Sequence, residues 1–600
     1  MSRKPKAYRT DGDIFRRRAL AVGIALAMLF SLCIGKLSYI QLIAAGSVAE
    51  AATASRTVTK PLQSQRGTIV DTNGVVLAQS VERYTVYADQ KAISEFKPID
   101  CDGSNDSVCH SIDGHDVEGT GAAAVARMLA PVLGMNAMEL GGKLVGTSRY
   151  VILKKNVVPA VKRSIDKLHL AGEINYELTS DRSYADDGGL MGSLLGGVDS
   201  TGTGVAGIEK MTDASLTGED GETRYQRGAN GQEIPGTRTE SRQPVDGGKV
   251  KLTIDRDVQW YVKKALTDAK KKTGAEWGIG VVQQVKNGHI VAIADTDTYE
   301  AGSDEAKLNT SKAVTTVFEP GSTGKLITAA GLLQEGIHKP TDHFQVPYQT
   351  EVNGQTFHDS HEHGTLNLTL AGILKESSNT GTIMASKNYS LKKRYEYITR
   401  FGIGQSTGLG FPGESRGQLA PYQSWDLRTR NTVLFGQGYS ASALQMTNVV
   451  ATIANKGVRC GQSIIESSTD AQGNDTTPKT NQPVRVIDES VAKEMLDMME
   501  SMADQYKDIA GVKGYRIAGK SGTAQVAGDD GALTSNIGDF IAAIPADDPQ
   551  YVVTVVLKDP EGTYGGVTAG PVVATIGEFL MQKYEVPNSP ARKNAIPTEW

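Results

Sequence analysis

Ala19 to Gly35, ALAVGIALAMLFSLCIG, carries no charge and directly follows Arg16-Arg17-Arg18. Lys36 interrupts the run and LSYIQLI continues it. As a helix, about 20 apolar residues cross a ~30 Å hydrocarbon core, and a lysine near the end can snorkel. Residues 19–43 are therefore expected to be a transmembrane anchor, with 1–18 a basic tail. The tail holds seven Lys/Arg against Asp11 and Asp13, a local +5 in a chain of net charge −5, which leaves −10 for the remainder. Basic flanks stay on the cytoplasmic side, so the bulk is expected outside, single-pass. The competing reading is a cleaved signal peptide with Ala49-Glu50-Ala51 as its A-x-A site. The run is longer than the usual h-region of about 7–15 residues, and the A-x-A lies well beyond it, which favours the anchor. Under either reading most of the chain faces a compartment without ATP.

The 600 residues are 39% hydrophobic, 22% charged and 6% aromatic, which excludes a disordered polymer or a polytopic membrane protein. No bulk basic excess points to nucleic acid. Of four cysteines, Cys101 and Cys109 flank the polar DGSNDSV, where either a small disulfide or two free thiols would fit an oxidising space. Residues 44–246 alternate short strand-like runs with turns, including a Thr72-Asn73-Gly74 hairpin turn, and 186–246 looks extended and irregular. From Val250 the texture changes. VKLTID, GIGVVQQV and HIVAIAD read as strands, and RDVQWYVKKALTDAKKK as an amphipathic helix ended by Gly274. Helices are expected near 324–335, 366–389, 391–401, 441–456, 489–504 and 571–584, and strands near 514–525, 537–544 and 550–557. Strands from both ends of one segment with helices between them make an α+β domain over 247–585, followed by a polar tail at 586–600.

Single motifs carry little weight here. S-x-x-K occurs at Ser164–Lys167, Ser322–Lys325, Ser390–Lys393 and Ser490–Lys493. Only Ser322 stands between a Pro320-Gly321 turn and an apolar helical run, LITAAGLL. That puts its hydroxyl at a helix start, where free N–H groups can hold an oxyanion, with Lys325 one turn on as a base. The other three lie in charged stretches. Ser377-Ser378-Asn379 follows an apolar helix, with Ser386-Lys387-Asn388 as a nearby decoy. Lys272-Thr273-Gly274 is ordinary helix capping, whereas Lys520-Ser521-Gly522-Thr523 lies in a strand, where a glycine suggests close approach by another backbone, such as a ligand's.

Two further patterns compete. Gly514 to Ser521 fits G-x-x-x-x-G-K-[ST], but a phosphate loop needs a strand before it and a helix after it, and neither is expected. His358, His361 and His363, with Asp359 and Glu362, can supply zinc ligands but lie in a polar turn with no evident fourth one; a hydrated loop is the simpler reading.

In order, Ser322-Thr323-Gly324-Lys325, Ser377-Ser378-Asn379 and Lys520-Ser521-Gly522-Thr523 resemble the three active-site motifs of penicillin-binding proteins and serine β-lactamases. Arg66-Gly67-Thr68-Ile69-Val70-Asp71, Gly204-Val205-Ala206-Gly207-Ile208-Glu209 and Leu252-Thr253-Ile254-Asp255 are similar to class B penicillin-binding proteins, as are Phe435-Gly436-Gln437-Gly438, Gln445 and Ile453–Gly457. The order of anchor, pedestal and transpeptidase domain resembles class B, and FGIGQSTGLGFPGES (401–415) looks most like its division-specific, FtsI-like branch. Two positions depart from the pattern: Gly324 is often larger in the family, and Thr72 often arginine. In a helical turn Gly324 is also about 1 kcal/mol less favourable than Ala.

The resemblance implies a single anchor, an elongated β-rich pedestal (dimerisation-like) domain and a transpeptidase domain with helices on both sides of an antiparallel sheet. It implies Ser322 as nucleophile, Lys325 as its base, Ser377 as proton relay, Asn379 as positioner of Lys325 and substrate, and Lys520 as the charge for a terminal carboxylate. Thr523 would bind that carboxylate, the Ser322 and Thr523 N–H groups would form the oxyanion hole, and Ser521 and Gly522 would complete the substrate-binding strand. The implied ligands are D-Ala-D-Ala stem peptides of peptidoglycan and β-lactams, and the implied partners a SEDS-family glycosyltransferase and other divisome proteins, at the bacterial cytoplasmic membrane. No cofactor or resident metal is implied. An elongation-type transpeptidase, a β-lactam sensor or β-lactamase-like hydrolase, and an idle scaffold are the alternatives.

Overall fold

The computed structural model describes residues 11–101, 108–185, 189–228, 234–527, 533–562, 564–593 and 595–600. The first ten residues of the basic tail and most of the loop between Cys101 and Cys109 lie outside them. Contacts divide the chain into two units. One runs to Ser64 and includes Glu219–Val245. It holds helix α1 (Asp11–Ser38), which a π-helical turn continues to Ile43. From Gly12 to Ile43 it is long and apolar enough to cross a membrane, and its most apolar stretch buries nothing against the protein. A second helix, Ala45–Arg56, follows, and the unit also holds an antiparallel sheet of Thr57–Leu62, Gly221–Gln226 and Thr239–Arg242.

The second unit comprises Gln65–Gly218 and Asp246–Trp600. Its first sheet contains the hairpin strands Thr68–Val70 and Val76–Ala88, joined by the expected turn. Gly74 takes φ +84°, and Asp71 Oδ1 accepts the N–H groups of Asn73 and Val75, each at 2.8 Å. Val151–Val157 and Ile174–Tyr184 pair with the long hairpin strand. Lys249–Leu252 pairs with Thr68–Val70 on one side and Ile465–Ser468 on the other, so strands from the C-terminal half complete this sheet. Thr72, the position often arginine in the family, bonds Glu466 at 2.9 Å. Cys101 and Cys109 form the disulfide.

The region expected to be irregular contains short helices at Gly192–Leu195, Gly207–Met211 and Asp213–Leu216. A buried charge cluster organises them. Fully buried Glu209 receives Arg66 and Arg182, each at 2.7 Å, and Arg66 also binds Asp213 at 2.7 Å. Two guanidiniums on one carboxylate offset the cost of burying it.

The C-terminal half is built on a five-stranded antiparallel sheet flanked by helices. In chain order these are α2 (Arg256–Thr273), β1 (Gly278–Gln284), β2 (Ile290–Asp295), α3 (Lys325–Gln334), α4 (Leu370–Lys375), α5 (Asn379–Ala385), α6 (Ala443–Ala454), α7 (Glu489–Ala503), β3 (Ala518–Ala527), β4 (Leu533–Ile544), β5 (Tyr551–Lys558) and α8 (Gly570–Lys583). The strand order is β2-β1-β5-β4-β3, which leaves β3 at an edge. Val258, Val262 and Leu266 of α2 and Leu580 of α8 pack with Phe540 and Val555 on one face. Leu326, Ala371, Val449 and Met495 pack with Ile541 and Val552 on the other. Every residue of α6 is buried, and Ser442 and Gln445 close its start with a capping box.

Two expectations change. The helix expected over 366–389 is a strand, Leu366–Thr369, followed by α4 and α5 with a break at Ser377-Ser378. Apolar content masked the break because each piece buries its own face. Nor does the 586–600 segment trail off as a polar tail. Arg592 pairs with buried Glu500 (3.2 Å), Thr598 O accepts from Thr369 N (3.0 Å), and the Trp600 ring stacks on His343 at 4.5 Å.

Candidate active site

Ser322 lies on a 3₁₀ turn, Gly321–Gly324, that feeds directly into α3. Gly321 takes φ +57°, and a Cβ there would stand 2.7 Å from the Thr523 carbonyl, so this position admits only glycine. Gly324 has a second reason to be glycine. Its φ of −64° is open to any residue, but a Cβ would come within 2.6 Å of both Gly436 Cα and the Tyr439 hydroxyl. The family departure at 324 thus matches the close passage of Gly436.

Lys325 is fully buried, and its Nζ lies 3.0 Å from Ser322 Oγ. It also lies 2.5 Å from the Ser377 carbonyl and 3.3 Å from Ser377 Oγ. Lys520 Nζ, likewise buried, lies 3.0 Å from the same Ser377 Oγ and donates to Ser521 O at 2.8 Å. Ser322, Lys325, Ser377 and Lys520 therefore form one unbroken polar chain. Ser377 occupies left-handed backbone, φ +54°, which costs a non-glycine residue about 1–2 kcal/mol. In that conformation both its carbonyl and its hydroxyl reach Lys325.

Two lysines meeting at one hydroxyl cannot both be comfortably charged. Burial first, and then the charge of Lys520, hold Lys325 well below the ordinary lysine value, against a smaller opposing pull from Asp359. Burial lowers Lys520 to about 8, and Asp539 opposes that shift.

Not every expected role has the expected geometry. The Asn379 amide donates to His358 O at 3.2 Å and makes no bond to Lys325, whose positioning instead falls to Ser377. The Ser521 hydroxyl lies 3.0 Å from the Tyr506 hydroxyl, so Ser521 serves Lys520 through its carbonyl alone. Thr523 Oγ1 accepts from Gly565 N at 3.3 Å. Because the Thr523 carbonyl faces Gly321, and a residue's N–H and C=O share one edge of an antiparallel strand, its N–H faces the Ser322 turn too. A side chain of the protein itself already requires glycine at 522: a Cβ there would lie 2.0 Å from Asp539 Oδ1.

In the sequence Asp359 figures only beside the histidines as a possible zinc ligand, which hides its actual role. It is buried and accepts from Ser378 Oγ (2.6 Å), Asn379 N (2.5 Å), Thr380 N (3.0 Å) and Thr380 Oγ1 (3.3 Å). His363 Nε2 lies 3.0 Å from it, while His361 pairs with the Tyr564 hydroxyl at 2.8 Å and His358 with a backbone carbonyl. His358 and His363 thus meet Asp359 at its carbonyl and its carboxylate while His361 turns to Tyr564, and among the described residues no three His, Cys, Asp or Glu converge on a metal position. Asp359 pins the start of α5 behind Ser377. The G-x-x-x-x-G-K-[ST] match runs into the edge strand β3, with no helix after its lysine. Of the decoys, Ser390 caps a helix by accepting Lys393 N, and Gly274 ends α2 in left-handed backbone.

The profile of the penicillin-binding protein transpeptidase domain matches residues 278–578, and that of the penicillin-binding protein dimerisation domain matches 61–252. Penicillin-binding protein PbpB of Mycolicibacterium smegmatis is 32% identical over 98% of this chain and 93% of its own length. Peptidoglycan D,D-transpeptidase FtsI of Escherichia coli is 29% identical over 96% of this chain and 93% of its own. Among solved structures, a peptidoglycan synthetase from Bifidobacterium adolescentis is 56% identical, covers 91% of this chain and all of its own, and superposes with a TM-score of 0.73.

Proposed function

The chain belongs to the penicillin-binding protein transpeptidases, and we propose that it is a serine-type peptidoglycan D,D-transpeptidase of septal wall synthesis and a target of β-lactams. The observation that carries this reading is the Lys325 amine, 3.0 Å from Ser322 Oγ and held below the ordinary lysine value first by burial and then by Lys520. Holding a lysine below its ordinary value favours the neutral amine that a serine nucleophile needs as its base.

In this mechanism Ser322 Oγ adds to the carbonyl of the penultimate D-Ala of a stem peptide and its proton passes to Lys325. The oxyanion sits on the N–H groups of Ser322 and Thr523, each such donor contributing about 3–4 kcal/mol in well-studied hydrolases. Ser377, bridging both lysines, relays the proton from Lys325 to the departing amine, and D-Ala leaves. An amine of a neighbouring stem then attacks the acyl-enzyme, returns Ser322 Oγ its proton by the same relay and leaves a new peptide cross-link. Lys520 and Thr523 hold the terminal carboxylate, Asn379 the substrate amide, and the open edge of β3 pairs with the peptide backbone. A β-lactam acylates the same serine, but its leaving amine stays tethered.

The basic flank of α1 supports a cytoplasmic N-terminus and an extracytoplasmic catalytic domain at the bacterial cytoplasmic membrane. We read 44–246 as the non-catalytic pedestal and 247–585 as the transpeptidase domain. A SEDS-family glycosyltransferase and divisome proteins are the proposed partners, and the FtsI relative supports the septal assignment over an elongation role. Incubation with a D-Ala-D-Ala stem peptide and an acceptor amine tests the reaction. Cross-linked product with D-Ala release is expected. Rapid release of hydrolysed stem alone would mean a hydrolase or sensor, and no turnover of either kind a scaffold.

A further inference from the structure

Behind the polar chain of the site lies a carboxyl group that the proposed mechanism does not use. Asp539 is on β4, directly opposite Gly522 of β3, and is 1% exposed. Opposed residues of an antiparallel pair point to the same face, and so do residues two apart on a strand. Asp539 and Lys520 therefore share a face, on a diagonal. The missing Gly522 side chain leaves the space that Asp539 fills: a Cβ at 522 would fall 2.0 Å from Oδ1 and 2.9 Å from Oδ2. The Thr323 hydroxyl, between Ser322 and Lys325 in the chain, donates to Pro320 O at 2.8 Å and also helps hold this carboxyl's value down. Oδ2 has no hydrogen-bond partner among the described residues.

Resting on the transpeptidase reading above, we propose that Asp539 is a positioning residue for the site's charge: its buried carboxyl, seated in the gap at Gly522, keeps the ammonium on Lys520 and so leaves Lys325 as the free base. Lys325 and Lys520 compete for charge across Ser377 Oγ. Each has one carboxylate pulling it toward the ammonium form, Asp359 for Lys325 and Asp539 for Lys520. The two carboxylates are not equal. Asp359 is shared among Ser378, Asn379, Thr380 and His363, and such bonds absorb much of its field. Asp539 has an oxygen without a partner, and Lys520's bonds go to neutral oxygens only. Among the described residues Lys520 supplies the charge acting on Asp539, with Lys325 beyond Ser377 and the Tyr506 phenol beyond Ser521. Burial raises Asp539 to about 7 while Lys520 opposes it, so between about pH 7 and 8 the pair is carboxylate and ammonium.

The test uses the full-length protein in detergent and the second-order rate constant of acylation by a fluorescent penicillin, from pH 5.5 to 10. Asp539→Asn keeps the shape and removes the charge. Without the carboxylate, Lys520 gives up its proton at lower pH, so the alkaline limb moves toward acid by about one unit or more. Below about pH 7, where the native carboxyl is itself protonated, variant and wild type converge. Asp539→Ser is the second variant should the carboxamide not pack. An alkaline limb at the same pH in wild type and in both variants would overturn the proposal. A uniform loss of rate with an unmoved limb would also overturn it, because that is what a purely structural residue gives. Peptide mapping separates this from the function itself: no adduct on Ser322 in wild type refutes the transpeptidase site, whereas a Ser322 adduct with an unshifted limb refutes Asp539 only.

Discussion

Gly324→Ala sets two physical effects against each other. In a helical turn alanine is about 1 kcal/mol better than glycine, and φ −64° at 324 suits it, so propensity alone says the variant is more stable. Packing says the opposite. The new methyl would lie 2.6 Å from Gly436 Cα and 2.6 Å from the Tyr439 hydroxyl, about 1 Å inside ordinary contact, and Gly436 is backbone that cannot rotate away. Overpacking of this kind costs about 1–3 kcal/mol, so the net is a loss of about 0–2 kcal/mol. The turn also carries Ser322 and Lys325, whose 3.0 Å contact would open as the turn moves off Gly436. Acylation is therefore expected to fall more than stability does, by tenfold or more for each ~1.4 kcal/mol lost at the transition state. Gly142→Ala is the control: it lies in the helix Ala137–Leu144 with nothing within 4 Å of a new Cβ, and should gain about 0.5–1 kcal/mol. Thermal melts and penicillin acylation rates on both variants decide. If Gly324→Ala matches Gly142→Ala in stability and keeps the wild-type acylation rate, the packing of the serine turn described above is wrong.

Lys325→Arg is expected to abolish acylation, because a guanidinium does not deprotonate, and to lower the melting temperature, because a larger and permanently charged group replaces a fully buried amine; a folded variant that still takes up fluorescent penicillin would expose an error. Asp359→Asn should slow acylation by loosening the start of α5. It should also move the acid limb of the rate profile to lower pH, since removing a negative charge makes the Lys325 ammonium still less favourable; an upward shift contradicts this sign. Glu209→Gln leaves Arg182 buried without its counter-charge, while Arg66 keeps Asp213, and should cost about 3 kcal/mol in urea denaturation. A loss under 1 kcal/mol would mean the cluster is hydrated.

Legibility in the sequence followed the range of the interaction. The long apolar N-terminal helix, the Asn73-Gly74 hairpin and the strand-helix order around Val250 rest on contacts a few residues apart, and these emerged as expected. So did the meeting of Ser322, Lys325, Ser377 and Lys520, but only because three spaced motifs matched a family pattern; no periodicity links residue 322 to 520. What stayed hidden is set by pairs distant in the chain. Asp359 looked like part of a histidine cluster because nothing local says that it caps residues 378–380. Gly522 looked like room for a ligand because Asp539 stands opposite only once β3 and β4 are in register. Gly324 looked like a weakness because Gly436, its neighbour, lies 112 positions away. The break at Ser377 was invisible because apolar residues on both sides kept a helical rhythm.

Incubating the wild-type chain and Ser322→Ala with penicillin, followed by intact-mass measurement and peptide mapping, goes straight to the nucleophile. Wild type should gain the mass of one penicillin on the peptide containing Ser322, and the variant should gain none. An adduct that persists in Ser322→Ala, or that maps to Ser377 or Ser521 in wild type, would contradict the mechanism proposed for this site.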